Sequence, residues 1–254
     1  DAFLKTAIKR KNVNIKKNTM VLKIIFKGLK AIGLVYERNN KKFEIFANKE
    51  IILCAGAIGT PHLLQVSGIG DADYLKSIGI DPLYEIKNVG EGLQDHYAVR
   101  VANKINLPIS LNEKARGYKL FVEIMKWFIL KKGLISYSPA HVGAFLKSSS
   151  EIDFPDLQFV FTPASYTEGM IGKLQEVPGI TCGVWQSRPL SRGYVRSLSQ
   201  NIKDAPIIQP NYLKEKTDQD VLVSGFKMSR ALLKTSNMDK ISVGETLPGQ
   251  NIQT

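Results

Sequence analysis

Hydrophobic and polar positions alternate through much of the first fifty residues. Val21 to Phe26 and Ala31 to Arg38 are rich in β-branched and aromatic residues, and Lys27-Gly28-Leu29-Lys30 between them is a turn signal, so the pair predicts a β-hairpin. Phe43 to Ala47 alternates again, and Val13 and Ile15 alternate with Asn to predict a short strand over 12–15. Residues 1–10 read as the end of a helix. Residues 50–56 then form a near-continuous apolar run closed by small residues. A run apolar on both faces predicts a buried parallel strand. Thr60 suits an N-cap and Pro61 a first helical position, which predicts a helix from there through Val66. Ser67-Gly68-Ile69-Gly70 is expected to stop it. A second helix, Asp71 to Ile78, is predicted to end at Gly79.

The later pattern differs. Leu120 to Leu130 has a broad apolar face and is closed by Lys131-Lys132-Gly133, which predicts a helix. Strands are predicted over Leu157 to Phe161, Ile180 to Trp185 and Tyr194 to Leu198. Asp218 to Lys234 reads as an amphipathic helix, with Val221, Gly225, Met228 and Leu232 in one stripe and Leu222 beside it. No internal repeat is present. The elements predict an α/β fold whose style changes near 100–110, giving one domain over 1–105 and a second over 106–254, a mixed β-sheet backed by helices.

Composition narrows the partners. With 254 residues, 44% of them hydrophobic, the chain can build a sizeable core spanning one large domain or parts of two. Mean hydropathy is -0.09, and no apolar run reaches the ~18–20 residues of a membrane helix, so no transmembrane segment is expected. The net charge is +12, yet the lysines are scattered, with only short runs such as Lys9-Arg10-Lys11. A nucleic-acid binder clusters its cations with aromatics on one element. A solvated basic surface and no nucleic-acid partner are therefore expected. Cys54 and Cys182 form no C-x-x-C pair and no disulfide framework, so a metal site is not expected, and a reducing, cytoplasmic location is. Cys54, within its apolar run, is expected to be a core thiol. The start, Asp1-Ala2-Phe3-Leu4-Lys5, is neither Met nor a signal peptide and reads as mid-protein.

Strand, small-residue turn and helix N-terminus together form a device for holding phosphate or ribose, because small residues let a ligand approach the backbone and the helix end offers free N–H groups. Cys54-Ala55-Gly56-Ala57 has that form. The longer string Gly56-Ala57-Ile58-Gly59-Thr60-Pro61-His62-Leu63-Leu64-Gln65-Val66-Ser67-Gly68-Ile69-Gly70 resembles, position for position, the second signature of the glucose–methanol–choline oxidoreductases. Asn88-Val89-Gly90-Glu91-Gly92-Leu93-Gln94-Asp95-His96 resembles that family's VGENLQDH segment, with Gly92 in place of the usual Asn. Val142-Gly143-Ala144-Phe145 and Pro155-Asp156-Leu157-Gln158-Phe159 resemble its substrate-domain strands. Arg188-Pro189-Leu190-Ser191-Arg192-Gly193-Tyr194-Val195 resembles its RP-SRG-V string, and Pro210-Asn211-Tyr212-Leu213 completes the run.

The resemblance implies an FAD-binding domain of Rossmann-like type over 1–105 and a substrate-binding domain over 106–254. It implies oxidation of an alcohol to an aldehyde or ketone by hydride transfer to flavin. The partner is then a small-molecule alcohol; the electron acceptor is not specified. The family's amino-terminal G-x-G-x-x-G does not occur in these residues, and its carboxy-terminal catalytic pair is expected beyond Thr254, so no catalytic residue is assigned here. A truncated, non-catalytic product is the alternative. Residue by residue, the resemblance places Val21 against adenine and Cys54, Ala55, Gly56 and Ala57 against the adenosine part of FAD. His141, Trp185 and Gln186 become substrate-pocket candidates. In choline-type members a Glu near His141 is expected to hold the ammonium, and a neutral His is a poor substitute. His62 reads as a surface or packing residue, and Asp95 and His96 as local supports.

Overall fold

The hairpin predicted over residues 21–38 is present and gains a third strand. β1 (Met20–Lys27), β2 (Lys30–Arg38) and β3 (Lys41–Phe46) form an antiparallel sheet in that order. Gly28 (φ 57°) turns the first hairpin, and Asn39 and Asn40 (φ 50° and 59°) turn the second, the left-handed pair that a tight hairpin loop requires. A computed structural model of the chain describes residues 2–138, 140–167, 169–170 and 172–253. Two compact units emerge: Asp1–Leu93 with Arg192–Asn211, and Gln94–Ser191 with Tyr212–Thr254. The first boundary thus falls near residue 93 rather than 105, and the first unit is discontinuous, because 192–211 returns to it.

In the first unit α1 (Ala2–Ala7) precedes the hairpin, and α2 (Gly56–Val66) packs on it, with Ile24 of β1 buried against Leu63 and Val66. Two predicted strands are absent. Residues 12–15 and 51–54 carry no ladder, since no neighbouring strand among the described residues supplies one. Ile51 and Leu53 pack on the Ile24 cluster while Ile52 is 73% exposed, so the run is buried on one face, not two. Cys54 is exposed with it, which corrects its reading as a core thiol. The helix also starts earlier than predicted. Ala55 is the N-cap, Gly56 turns the chain at φ 79°, and Pro61 lies inside the helix. Burial of His62, Leu63, Gln65 and Val66 sets the span and outweighs the one backbone bond that proline forfeits.

Beyond α2, β4 (Ile69–Gly70) pairs in parallel with β5 (Tyr84–Glu85). Between them α3 (Ala72–Ser77) is capped by Asp71, whose carboxylate accepts from Tyr74 N at 2.8 Å, and it ends before Gly79 at φ 79°. β6 (Glu91–Leu93), β11 (Gly193–Arg196) and β12 (Ile207–Gln209) complete the unit as an antiparallel sheet with β11 central.

The second unit is built on five strands in the order β13 (Ser242–Leu247), β7 (Ala98–Ile105), β10 (Gly179–Gln186), β9 (Leu157–Thr162), β8 (Val142–Leu146). All four pairings are antiparallel, a narrower arrangement than the mixed sheet expected. α6 (Lys216–Leu233) covers one face, where Val101, Leu157, Phe159, Cys182 and Val184 meet Phe226 and Leu233. Gly225 permits that approach: a Cβ there would lie 2.8 Å from Val184 Cγ2 and 2.9 Å from Leu157 Cδ2. Of the predicted stripe Gly225 and Leu222 are buried and Val221 and Met228 pack on the core, whereas Leu232 is exposed and Leu233 is buried in its place. α4 (Leu111–Lys114), α5 (Gly117–Leu130), a 3-10 turn (Leu134–Ser136) and α7 (Ser236–Asp239) lie in this unit too. No helix among the described residues is long and apolar enough to cross a membrane.

Candidate functional site

The two units carry separate candidate surfaces. In the first, Cys54, Ala55, Gly56 and Ala57 are exposed at the start of α2. No side chain caps that helix end and no acid lies in its first turn, so its leading N–H groups and positive dipole face outward. A Cβ added at Gly56 would meet nothing within 4 Å. Val21 and Leu53 both pack on the Ile24 cluster, which brings the first strand and the small-residue turn to one support.

The signature residues behind this turn work through hydrogen bonds. Ser67 Oγ accepts from Ile24 N at 3.0 Å and donates to Leu63 O at 2.7 Å, tying the end of α2 to β1. Gly68 adopts φ 91°, and a Cβ there would come within 3.0 Å of Asp81 O. Gln65 is 2% exposed and uses its whole amide: Nε2 donates to Val89 O and Val195 O, both at 3.0 Å, and Oε1 accepts from Ser197 N at 2.7 Å. His62 is buried, not at the surface. Its Nε2 lies 3.1 Å from Ile202 O and its Nδ1 2.9 Å from Ser197 Oγ. A carbonyl only accepts, so Nε2 donates to Ile202 O. Gln65→Leu preserves volume but strands two carbonyls and one N–H. It is expected to cost about 3 kcal/mol, read as a lower urea midpoint at unchanged slope.

In the second unit the face of the sheet opposite α6 is buried at Ala102, Thr162 and Thr181 and more exposed toward Ala98 and Arg100. Strand register places Phe145, Gln158, Trp185 and Ala98 side by side on it, and Gly143, Val160, Gly183 and Arg100 in the next row. The indole N–H of Trp185 donates to Gln158 Oε1 at 3.2 Å, and its ring stacks on His96 at 6.2 Å. His141 lies one residue before β8; its N donates to Phe161 O at 3.0 Å and its ring lies 5.8 Å from the Tyr137 ring centre. Gln186 is not on the face that carries Trp185. It pairs with Leu157 and is buried on the α6 side, where its amide reaches Arg188 O at 3.4 Å. Of the three pocket candidates, register puts Trp185 on this face and Gln186 behind it. The sequence missed the row containing Gly143 and Gly183, although glycine inside a strand is itself a signal of close approach. Beside that row lies a cavity of about 230 Å³ lined by residues including Arg100, Tyr166, Thr181 and Leu247. The Arg100 guanidinium sits 5.8 Å from the Tyr166 ring centre.

The flanks of this face are braced from the sequence motifs. Asp95 accepts a short hydrogen bond from the Tyr212 hydroxyl, which holds its carboxyl below the usual carboxylate value and pushes the tyrosine up. His96 Nε2 donates to Ser187 O at 3.0 Å. Gly92, standing where the resemblance has Asn, adopts φ 76°, a conformation both residues tolerate. Among the described residues no three His, Cys, Asp or Glu side chains gather as a metal site.

Two profiles of one family match the chain: GMC oxidoreductase, amino-terminal part over 1–98 and carboxy-terminal part over 189–254. An oxygen-dependent choline dehydrogenase of Staphylococcus aureus (strain JH9) is 34% identical over all 254 residues, which make up 44% of that relative's length. Among solved structures, pyridoxine 4-oxidase from Mesorbium loti superposes with TM-score 0.82 at 23% identity, covering 98% of this chain and 45% of its own. An FAD-dependent oxidoreductase from Chaetomium thermophilum gives TM-score 0.81 at 22% identity, covering 98% and 50%. The chain therefore spans about half the length of the proteins it matches or less. From the matched profiles at both ends and the shared fold, the chain belongs to the GMC oxidoreductases, a family of FAD-dependent flavoproteins.

Proposed function

We propose that this chain supplies part of the FAD site and most of the substrate-facing sheet of an enzyme that oxidises an alcohol to an aldehyde or ketone. The observation that carries the reading is the start of α2. Its exposed small residues and uncapped N–H groups suit a nucleotide, and they coincide with the family signature. Val21 and the backbone of Cys54, Ala55, Gly56 and Ala57 would hold the adenosine part. The chemistry FAD supplies when bound is acceptance of hydride from the carbinol carbon. On the substrate side, Trp185 of the sheet and His141, one residue before β8, orient the alcohol over Gly143 and Gly183, where the absence of side chains leaves room. Gln186 acts one layer back, through the turn it supports. None of the three histidines takes the substrate proton: His62 is bonded at both ring nitrogens, His96 is tied to Ser187, and His141 orients substrate. The base belongs to residues beyond Thr254.

The test compares two lengths of chain. Residues 1–254 contain no G-x-G-x-x-G loop to cradle the pyrophosphate. Purified alone they are expected to be colourless and to show no alcohol oxidation when FAD and an artificial electron acceptor are supplied. The complete reading frame is expected to retain FAD and to turn over an alcohol. A yellow 1–254 with stoichiometric flavin would overturn the assignment of the missing parts. A complete frame that bound no FAD and oxidised no alcohol would leave a non-catalytic protein.

A further inference from the structure

The connection from β9 to β10 is held shut by one fully buried side chain. Asn112 of α4 donates through Nδ2 to Ser165 O and to Gln175 O at 2.9 Å each, and its Oδ1 accepts from Ser165 N at 3.0 Å. Gln175 N donates to Ser165 O at 3.0 Å, and Thr167 N donates to Lys173 O at 2.8 Å. The two ends of the connection thus form a closed neck. The amide itself is fixed at the start of α4, where Ser110 Oγ accepts from Asn112 N. Thr181 Oγ1 of β10 donates to Ala164 O at 2.6 Å, which fastens the neck to the sheet face opposite α6. Each bond is made within this chain and away from solvent, so the residues just beyond the neck are rigidly placed.

Beyond the neck the chain walls the cavity of about 230 Å³ already described. Tyr166 and Met170 stand on one side, and Arg100 and Ala102 of β7 with Leu247 of β13 on the other. That volume falls below the ~300–1,000 Å³ of a complete ligand pocket, as a subsite would. Register sets Arg100 directly opposite Gly183, so the cavity adjoins the glycine row. Adjacent strands lie ~4.8 Å apart, so a group one or two bonds from a carbon held over Gly183 reaches it. The chemistry of the walls is narrow. Thr181 has spent its hydroxyl on Ala164 O, which leaves Ala102, Leu247, Met170 and the Tyr166 ring as apolar surface. The one charge among the described lining residues is the Arg100 guanidinium. An aromatic face ordinarily attracts a cation, but the Tyr166 ring already carries Arg100 at 5.8 Å. A quaternary ammonium entering here would meet a like charge and a ring already taken.

We propose that this cavity is a specificity subsite for the group attached to the carbinol carbon, that it takes a compact uncharged apolar group and rejects a quaternary ammonium, and that Asn112 is the positioning residue that holds its wall. The proposal rests on the alcohol-oxidising reading above.

The experiment gives the complete reading frame, loaded with FAD, two alcohols of one shape: choline, and its isostere with a quaternary carbon in place of the nitrogen. At fixed ionic strength kcat/KM is expected to favour the uncharged alcohol by about tenfold or more. Arg100→Leu should bring the two within about threefold, whereas Arg38→Leu, the same change on β2, should leave the ratio as it was. Asn112→Ala should raise KM for the uncharged alcohol about tenfold with kcat held within about twofold, because lost binding moves KM while a merely unstable enzyme loses apparent kcat at constant KM. Met170→Trp fills the cavity from an exposed position and carries the same expectation if Asn112→Ala does not fold. Choline preferred by the parent, a ratio unmoved by Arg100→Leu, or a KM unmoved by Met170→Trp would each overturn the subsite. If neither alcohol is oxidised, ligand-observed NMR of the uncharged alcohol separates the two readings. Binding that Met170→Trp abolishes would support the subsite and sink the oxidation, and no binding would sink both.

Discussion

Gly90→Ala is expected to unfold the first unit, or to lower its thermal midpoint by well over what backbone strain alone would cause. Gly90 adopts φ 89°, and a Cβ placed there would fall on the Val195 carbonyl oxygen and the Gln65 amide. The same position is fixed from several sides, since Gly90 O accepts from Val195 N at 2.6 Å and Val195 O takes the Gln65 amide at 3.0 Å. Relaxing the clash means separating β11 from the segment before β6 and releasing the amide that joins both to α2. Left-handed strain contributes about 1–2 kcal/mol, and broken backbone pairing and overpacking a further few, for on the order of 4 kcal/mol in all. Urea unfolding followed by circular dichroism reads the loss. Gly92→Ala is the internal control: its φ is 76°, yet no atom lies within 4 Å of its Cβ position, so only the strain should appear. Equal midpoints for the two variants would show that the close approach at Gly90 carries no weight.

Asp218→Ala is expected to be the most damaging polar substitution in the second unit. The carboxylate, 1% exposed, accepts from Leu190 N and Ser191 N at 2.8 Å each and from Ser191 Oγ at 2.6 Å. It thereby ties the first turn of α6 to the Arg188–Arg192 motif. Burial alone would raise its pKa, but the bonds from Leu190, Ser191 and Gln186 outweigh burial and hold the carboxyl below the usual 3.8. Removing it leaves two backbone donors without the acceptor they are aimed at, at about 3–4 kcal/mol, or about 10 °C in Tm. The sign of the pH dependence follows. A depressed folded-state pKa means the unfolded chain takes up the proton first, so the stabilisation is complete above the unfolded value and is lost as pH falls below about 4. Stability measured from pH 6 downward should therefore fall further for the parent chain than for Asp218→Asn. Parallel curves would mean that the charge of Asp218 contributes nothing.

Legibility in the sequence tracked how local each cause is. The hairpin over β1 and β2, the Asp71-capped helix and α6 were readable because turn chemistry, capping and period act within a few residues. The strand over residues 50–56 was not, because an apolar run becomes a strand only where a neighbour offers a ladder, and Ile52 turned outward instead. Cys54 followed it to the surface. α2 began four residues before the Thr60 signal because burial of His62 and Leu63 governs its extent. In α6 the stripe through Val221, Gly225 and Met228 faces the core as expected, and only its last position moves, from Leu232 to Leu233. The motifs point to positions along the chain but do not say which face a residue takes. Register separates Trp185 from Gln186 onto opposite sides, and it places Gly143 and Gly183 on either side of Val160.

The return of residues 192–211 to the first unit bears on how a ribosome must make this protein. Gln65 emerges early, and Val89 soon after it, but Val195 and Ser197 are synthesised only once the strands from β7 through β10 have left the exit tunnel. Until then a nascent chain holds an amide cut for three partners with one in reach, and an Ile24–Leu63–Val66 core still lacking Ile202. Such long sequence separations slow closure. The inserted unit is itself unfinished at that moment, since α6 and β13 follow still later, so neither half can complete during synthesis of the other. This polypeptide should thus depend on holding chaperones during synthesis, with its partly formed sheets open to aggregation until α6 and β13 have emerged.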